Sequence, residues 1–107
     1  MCGICGLFGT GRPIGESRSI VDSMMKALAH RGPDGEGRAE GRGIVLGHRR
    51  LSIIDVAGGS QPMISADGRY ALTFNGEIYN YLELRRELTD EGVAFHTASD
   101  AEVLLEI

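Results

Sequence analysis

The sequence predicts a mixed domain of helices and strands with one hydrophobic core, because short apolar runs and amphipathic helical patterns alternate along its 107 residues. Hydrophobic residues make up 42% and charged residues 24% of the chain, values that are typical of globular domains and argue against disorder. The 16 glycines are spread through short turns rather than gathered in a linker. We therefore expect a single folded unit.

The N-terminal half predicts a strand, a helix and a second strand. Residues 3–8 form an apolar run that directly follows Cys2. Residues 18–30 carry apolar residues at helical spacing, and Gly32 and Pro33 end this helix. Its apolar residues are Ile20, Val21, Met24, Met25 and Leu28. Residues 44–46 predict a buried strand that continues toward His48.

The C-terminal half predicts two more strands and two helices. Residues 70–74 form a strand after a hairpin turn at 66–68, and residues 93–95 form a short strand. Asn80 and Glu83 predict the start of one helix. Its inner face consists of Tyr81, Leu84 and Leu88. Ser99 and Glu102 repeat the capping-box pattern and open a last helix. This helix reaches the end of the sequence without a C-cap, so we expect the chain to be a fragment of a longer protein.

Charge and composition exclude several classes of function. The formal net charge is −4 and no Lys/Arg run is present, which argues against nucleic acid as a partner. No apolar run approaches the roughly 18 residues of a membrane span, and no secretory signal is visible, so we expect a cytoplasmic protein. Cys2 and Cys5 have C-x-x-C spacing but no second ligand pair, so we expect no metal site. A thiol-redox or metal protein remains an alternative.

Cys2 is a candidate nucleophile because of its position. If Met1 is removed, Cys2 carries both a thiol and a free α-amino group. The amine, whose usual pKa is about 7.7–8.0, can then take the thiol proton directly or through a water. Such a site needs no histidine. The alternative is that Cys2 is a small buried apolar residue.

Asn75 and Gly76 are candidates for an oxyanion hole. They directly follow the predicted strand that ends at Phe74. A side-chain amide and a backbone N–H are suitable donors to a tetrahedral intermediate. An ordinary Asn-Gly turn is the alternative, although a helix pattern rather than a return strand follows.

Arg50 and Asp100 could together bind the two charges of a free amino acid. Arg50 lies beside an apolar run, where a guanidinium usually pairs with a planar anion such as a carboxylate. An ion pair with Asp55 is the structural alternative. Asp100 could receive an ammonium group or simply cap the last helix.

Several sequence blocks together resemble one family. They are MCGICG at the N-terminus, HRGPDGEG at 30–37, LGHRRLSIID at 46–55, QPM at 61–63, FNGEIYNY at 74–81 and SDAEVLLE at 99–106. In this order they resemble the glutaminase domain of asparagine synthetases (glutamine-hydrolysing), which are class II glutamine amidotransferases among the N-terminal nucleophile hydrolases.

The resemblance implies a role for each candidate residue. Cys2 would attack the side-chain amide of glutamine, and Asn75 and Gly76 would form the oxyanion hole. Arg50 would bind the α-carboxylate and Asp100 the α-amino group. The remaining glutamine-binding positions would be Leu51, Ser52, Ile53, Ile54 and Glu77.

The resemblance also implies a larger protein. Residues 1–107 would be the N-terminal portion of the glutaminase domain. Its fold is α+β, a four-layer αββα sandwich with two antiparallel sheets, which this chain would hold only in part. A C-terminal synthetase domain would use ATP and magnesium, and this chain itself would need no cofactor. A homodimer is compatible with the sequence, which does not determine the oligomeric state. A glutamine-binding or assembly module without turnover is the alternative, favoured if Met1 stays attached.

Overall fold

The computed structural model describes residues 1–51 and 59–107 and shows a small α+β domain with antiparallel sheets, as the family resemblance implies. Five strands and three helices lie in these two ranges. The strands are β1 (Gly3–Phe8), β2 (Gly35–Gly41), β3 (Ile44–Arg50), β4 (Met63–Ile64) and β5 (Ala71–Leu72). The helices are α1 (Ile14–Ala27), α2 (Tyr81–Asp90) and α3 (Asp100–Glu106).

The first sheet has the strand order β1-β3-β2, and both pairings are antiparallel. The predictions for β1 and for the start of β3 are confirmed, and β3 continues to Arg50. The edge strand β2 was not predicted, because its sequence GEGRAEG has no large apolar residue. The register pairs Gly3 with Arg49 and therefore brings the start of β1 beside the end of β3.

Helix α1 packs against one face of this sheet and forms the core. Val21 and Met25 of α1 pack with Val45 of β3, and Cys5, Leu7 and Met24 lie against this cluster. Gly47 permits the close approach, because a Cβ there would lie 2.8 Å from both Val21 Cγ1 and Cys5 Sγ. The core therefore fixes β1 and β3, the two strands that lead to the cavity described below.

The predicted bounds of α1 were wrong at both ends. The helix begins at Ile14 rather than at residue 18, because Pro13 has helix-compatible φ and its carbonyl accepts from Glu16 N and Ser17 N. It ends at Ala27 rather than at residue 30, where tighter turns such as Ala29 N to Lys26 O take over.

The second sheet is a short hairpin of β4 and β5. Its turn includes residues 66–68 as predicted, and Gly68 has a φ of +73°. The strand predicted over 70–74 is shorter than expected and contains only Ala71–Leu72. Beyond it, Thr73 and Phe74 are held by side chains, because Thr73 Oγ1 bonds to His48 and Phe74 N donates to Gln61 Oε1.

Helix α2 presents the predicted face inward, since Tyr81, Leu84 and Leu88 are half-buried whereas Leu82 is exposed. Asn80 occupies the N-cap position, but its side chain makes no capping hydrogen bond because its backbone already has ψ near 27°.

The prediction of a strand over residues 93–95 was wrong. Val93 N donates to Leu88 O and closes the end of α2 instead. The Arg85 guanidinium lies over the ring of Phe95, and its central carbon is 4.5 Å from the ring centre. No strand of the described residues pairs with this segment.

The face of the first sheet opposite α1 contacts the residues that flank the second sheet. His48 bonds to Thr73 across this boundary. A Cβ on Gly37 would lie only 2.0 Å from the carbonyl oxygen of Gln61, so glycine is required there. Helix α3 packs on β4 and β5. Within residues 1–51 and 59–107, no helix is long and apolar enough to cross a membrane.

Candidate active site

A cavity of about 320 Å³ opens where the chain start, the end of β3, the segment after β5 and the start of α3 meet. Its size lies within the range of small-molecule sites, roughly 300–1,000 Å³. The residues that line it are Met1, Cys2, Arg50, Leu51, Gly59, Gln61, Phe74, Asn75, Gly76, Glu77, Tyr79, Ser99 and Asp100. Every site residue predicted from the sequence within the described ranges lies in this lining.

The thiol of Cys2 is held against the end of β3. Leu51 N donates to Cys2 Sγ at 3.2 Å, and the thiol donates to Leu51 O at 3.5 Å. Arg31 Nε donates to the Cys2 carbonyl at 3.4 Å. These contacts exist because β1 and β3 are paired up to Gly3 and Arg49. Cys2 is half-buried and lines the cavity, so it is not the fully buried residue that the structural alternative requires.

Cys5 lies in a different environment. Cys2 and Cys5 are three residues apart along an extended chain, so their side chains point to opposite faces of the sheet. Cys5 packs against the core under α1, and burial raises the pKa of its thiol. Both cysteines are free thiols. Within the described ranges, no group of three or more His, Cys, Asp or Glu side chains is arranged to hold a metal ion.

Arg50 provides positive charge in the cavity lining. It is the last residue of β3, and its carbonyl accepts from Asp34 N at 2.9 Å. Gly32 lies close beside the same strand, since a Cβ on it would be 2.5 Å from Arg50 N. The RGPD turn thus packs on the backbone that carries Arg50. This contact gives the glycine of that sequence block a physical reason.

Asn75 and Gly76 follow β5 in an irregular segment that leads into α2. No return strand follows them, so the two-residue hairpin alternative is wrong. The ring of Phe74 folds back over Gly76, where a Cβ would lie 2.9 Å from the ring. Gly76 therefore lets the ring and the backbone approach each other. Both residues line the cavity, and Glu77 follows them in its wall.

Asp100 lies at the start of α3 and is only 7% exposed. Its Oδ2 accepts from Ile78 N at 3.0 Å, which ties α3 to the segment after Gly76. The capping role belongs to Ser99, whose Oγ accepts from Ala101 N at 3.1 Å. Asp100 is thus a buried carboxylate that faces the cavity and is not the helix cap.

Glu102 stabilises the approach to Asp100. The predicted capping box is only half present, because Glu102 accepts from His96 N and Thr97 N rather than from Ser99 N. Burial raises the pKa of Glu102, but the Thr97 hydroxyl, the two backbone N–H groups and the charge of Arg85 outweigh it and leave the pKa lowered. The charged carboxylate therefore fixes the turn that precedes α3.

Three predicted positions, Ser52, Ile53 and Ile54, lie outside the described residues, as does Asp55, the alternative partner of Arg50. The sequence reasoning missed Gln61 and Tyr79 in the cavity wall. Gln61 is the first residue of the QPM block, to which no role had been attached. Its Oε1 accepts from Phe74 N and thereby joins the QPM block to the FNGE block.

The site therefore combines a thiol, two neighbouring amide donors, a cation and a carboxylate in one small cavity. This set of groups is typical of enzymes that transfer the amide of an amino acid through a thioester. A family model described as a glutamine amidotransferase domain matches residues 1–107. The chain belongs to this family.

Several curated proteins are similar in sequence to this chain. Asparagine synthetase [glutamine-hydrolyzing] 1 of Bacillus subtilis is 45% identical over 98% of the chain. A probable asparagine synthetase [glutamine-hydrolyzing] of Schizosaccharomyces pombe is 43% identical, and asparagine synthetase B [glutamine-hydrolyzing] of Escherichia coli is 40% identical, each over 98% of the chain. The chain spans only 17–19% of the length of these three relatives.

Proposed function

We propose that this chain is the glutamine-hydrolysing part of an asparagine synthetase. The observation that carries the proposal is the cavity in which Cys2, Arg50, Asn75, Gly76 and Asp100 meet, although they are up to 98 positions apart in the sequence. The names of the relatives support glutamine as the substrate.

Glutamine would be held by its two α-substituents. The Arg50 guanidinium binds the α-carboxylate through paired hydrogen bonds, and the Asp100 carboxylate binds the α-ammonium. The low exposure of Asp100 supports this role, because a buried carboxylate gains from a cationic partner. Leu51 and Glu77 in the cavity wall would contact the rest of the substrate. The side-chain amide is thereby directed toward Cys2.

Attack by the thiol needs a base, and the chain start supplies it once Met1 is removed. The freed α-amine of Cys2 takes the proton from Sγ as the sulfur attacks the amide carbon of glutamine. Leu51 N–H and Leu51 O already fix the position of the sulfur. Met1 lines the same cavity, so its removal also enlarges the space for substrate.

The tetrahedral intermediate carries a negative oxygen that needs donors. The side-chain amide of Asn75 and the backbone N–H of Gly76 donate to it. The α-amine then gives its proton to the amide nitrogen, the C–N bond breaks and ammonia leaves. Water attacks the resulting glutamyl thioester, the C–S bond breaks, and glutamate and the thiol are released.

The ammonia would be used by a synthetase domain outside this chain, which would bind ATP and magnesium and amidate aspartate. The short coverage of the relatives supports such a domain. The order helix, sheet, sheet, helix across α1, the two sheets and α3 supports a four-layer αββα sandwich for the complete glutaminase domain. A reduced Cys2 is consistent with the cytoplasm.

A Cys2→Ser variant of the full-length protein tests the proposal. Serine keeps the shape, but its hydroxyl is a much weaker nucleophile with an amine as the base. We expect glutamate release from glutamine to be abolished, while asparagine formation from added ammonium salt continues. Cys5→Ser is the matched control and should retain glutamine hydrolysis. Glutamate release by Cys2→Ser at the wild-type rate would contradict the proposal, and a wild type that releases no glutamate would favour a glutamine-binding module.

A further inference from the structure

His48 is the largest fully buried side chain of the described residues, and the proposed chemistry does not use it. It lies in the central strand of the first sheet, between Ile4 of β1 and Gly37 of β2, and is 1% exposed. Its Nδ1 and Thr73 Oγ1 are 2.7 Å apart and share a hydrogen bond. Within residues 1–51 and 59–107, Nε2 has no hydrogen-bond partner. An incompletely satisfied buried ring needs a reason to be retained.

The position of His48 gives that reason. Side chains two residues apart on a strand point to the same face, so His48 lies directly behind Arg50. The pairing of Ile4 with His48 places Cys2 two residues further along the neighbouring strand, on the same face. His48 is therefore one strand repeat, about 7 Å, behind the residues that would attack and bind glutamine.

Thr73, the hydrogen-bond partner of His48, likewise lies behind a residue of the cavity, on its other side. Thr73 precedes Asn75 by two residues and lies directly beyond β5, where regular strand pairing has ended. Phe74 N is held by Gln61 Oε1, and Thr73 is held by His48. These two bonds anchor the segment that carries the amide donors. The bond from His48 ties this segment directly to β3, the strand that carries Arg50.

We propose that the hydrogen bond between His48 and Thr73 positions Asn75 and Gly76 relative to Cys2. His48 and Thr73 are positioning residues and do not touch the substrate. Burial, and next the charge of Arg50, lower the pKa of His48 to about 4, so that the ring stays neutral and acts as a hydrogen-bond partner near neutral pH. This inference rests on the proposed function, because it needs the thioester chemistry.

The test compares Thr73→Val with Thr73→Ser in the full-length protein. Valine keeps the shape of threonine but removes the hydroxyl, whereas serine keeps the hydroxyl. We expect Thr73→Val to lower kcat for glutamine hydrolysis by roughly tenfold or more, because small misplacement of a donor costs rate. The KM for glutamine should stay within about twofold, since Arg50 and Asp100 are untouched. Thr73→Ser should restore kcat to within about threefold of wild type.

Repeating Thr73→Val in an Asn75→Ala background distinguishes the positioning of Asn75 from a purely structural role of the His48–Thr73 bond. Once the Asn75 amide is gone, Thr73→Val can misplace only the Gly76 N–H, so in this background it should lower kcat by a clearly smaller factor than in the wild type. An unchanged kcat in Thr73→Val would overturn the inference. So would an equal loss with and without Asn75→Ala, since the bond would then not position the Asn75 amide.

His48 itself offers a second pair of variants if Thr73→Val fails to fold. An asparagine amide lies near the position of Nδ1 and a glutamine amide near that of Nε2. We expect His48→Asn to retain more kcat than His48→Gln, and the reverse order would overturn the inference. Failure of the proposed function has a different signature, namely that wild type and Cys2→Ser release glutamate equally.

Discussion

The carboxylate of Asp100 is the group whose proposed role can be tested with the least disturbance of the fold. Asp100→Asn removes the charge, but the asparagine Oδ1 can still accept from Ile78 N, as Asp100 Oδ2 does at 3.0 Å. The helix cap on Ser99 is also unaffected. The substitution therefore changes the charge in the cavity and leaves the start of α3 in place.

The expected loss follows from the burial of Asp100. At 7% exposure the carboxylate is largely withdrawn from water, so an ammonium bound to it forms a charge-assisted hydrogen bond. Such bonds contribute about 1.5–3 kcal/mol, which corresponds to a fall in kcat/KM of roughly ten- to 150-fold. The loss should lie mainly in KM, because the ammonium does not change during the reaction.

The assay is glutamate release over a series of glutamine concentrations, repeated with glutaramate, the analogue in which hydrogen replaces the α-amino group. Asp100→Asn should lower kcat/KM for glutamine but leave the slow hydrolysis of glutaramate unchanged. Asp90→Asn removes the same charge from the exposed end of α2 and serves as the matched control. An equal loss on both substrates would refute the ammonium-binding role and make Asp100 a residue of the fold.

Two further predictions concern Arg50 and His48. Arg50→Ala should raise the KM for glutamine by a factor that corresponds to about 1.5–3 kcal/mol and should keep ammonia-dependent synthesis, as measured by steady-state kinetics. Loss of ammonia-dependent synthesis as well would make Arg50 a folding residue. The pKa of His48 is lowered from 6.5 to about 4, mainly by burial, so the unfolded chain binds the proton first as the pH falls. The contribution of His48 to the free energy of unfolding is complete above about pH 6.5. It decreases by about 3 kcal/mol as the pH falls to 4. The free energy of unfolding, measured with denaturant, should therefore depend more steeply on pH in the wild type than in His48→Asn, and only within this pH window. Parallel plots of this free energy against pH would contradict the prediction.

Much of the fold could be predicted from the apolar residues, because their spacing indicates which face of a helix or strand is buried. The run at residues 3–8 became β1, and Val21, Met25 and Val45 became the core, because apolar periodicity records which face is covered. The chemically reactive members of the cavity within the described ranges, from Cys2 to Asp100, were also predicted, whereas Gly59, Gln61 and Tyr79 in its wall were not. The chemistry of these residues and the resemblance of the surrounding sequence blocks are sufficient to indicate them.

Strand β2 and the region before α3 were not predicted correctly, because contacts other than apolar packing stabilise them. Strand β2 has only charged and small residues, and its alternation of Glu36, Arg38 and Glu40 with glycine or alanine was the one available signal. It forms because β3 offers an open edge, which no local pattern reveals. The region before α3 is held by Glu102 instead of by strand pairing. Such long-range satisfaction of backbone groups cannot be read from neighbouring residues.

The most direct test of the account asks which cysteine reacts and whether its amine is free. The full-length protein is treated with a glutamine analogue that carries an electrophilic carbon in place of the amide, digested, and mapped by mass spectrometry. The account predicts an N-terminal peptide that begins at Cys2, lacks Met1 and carries one label on Cys2, while Cys5 in the core stays unlabelled. A label on Cys5, or full glutamine hydrolysis by protein that retains Met1, would contradict it.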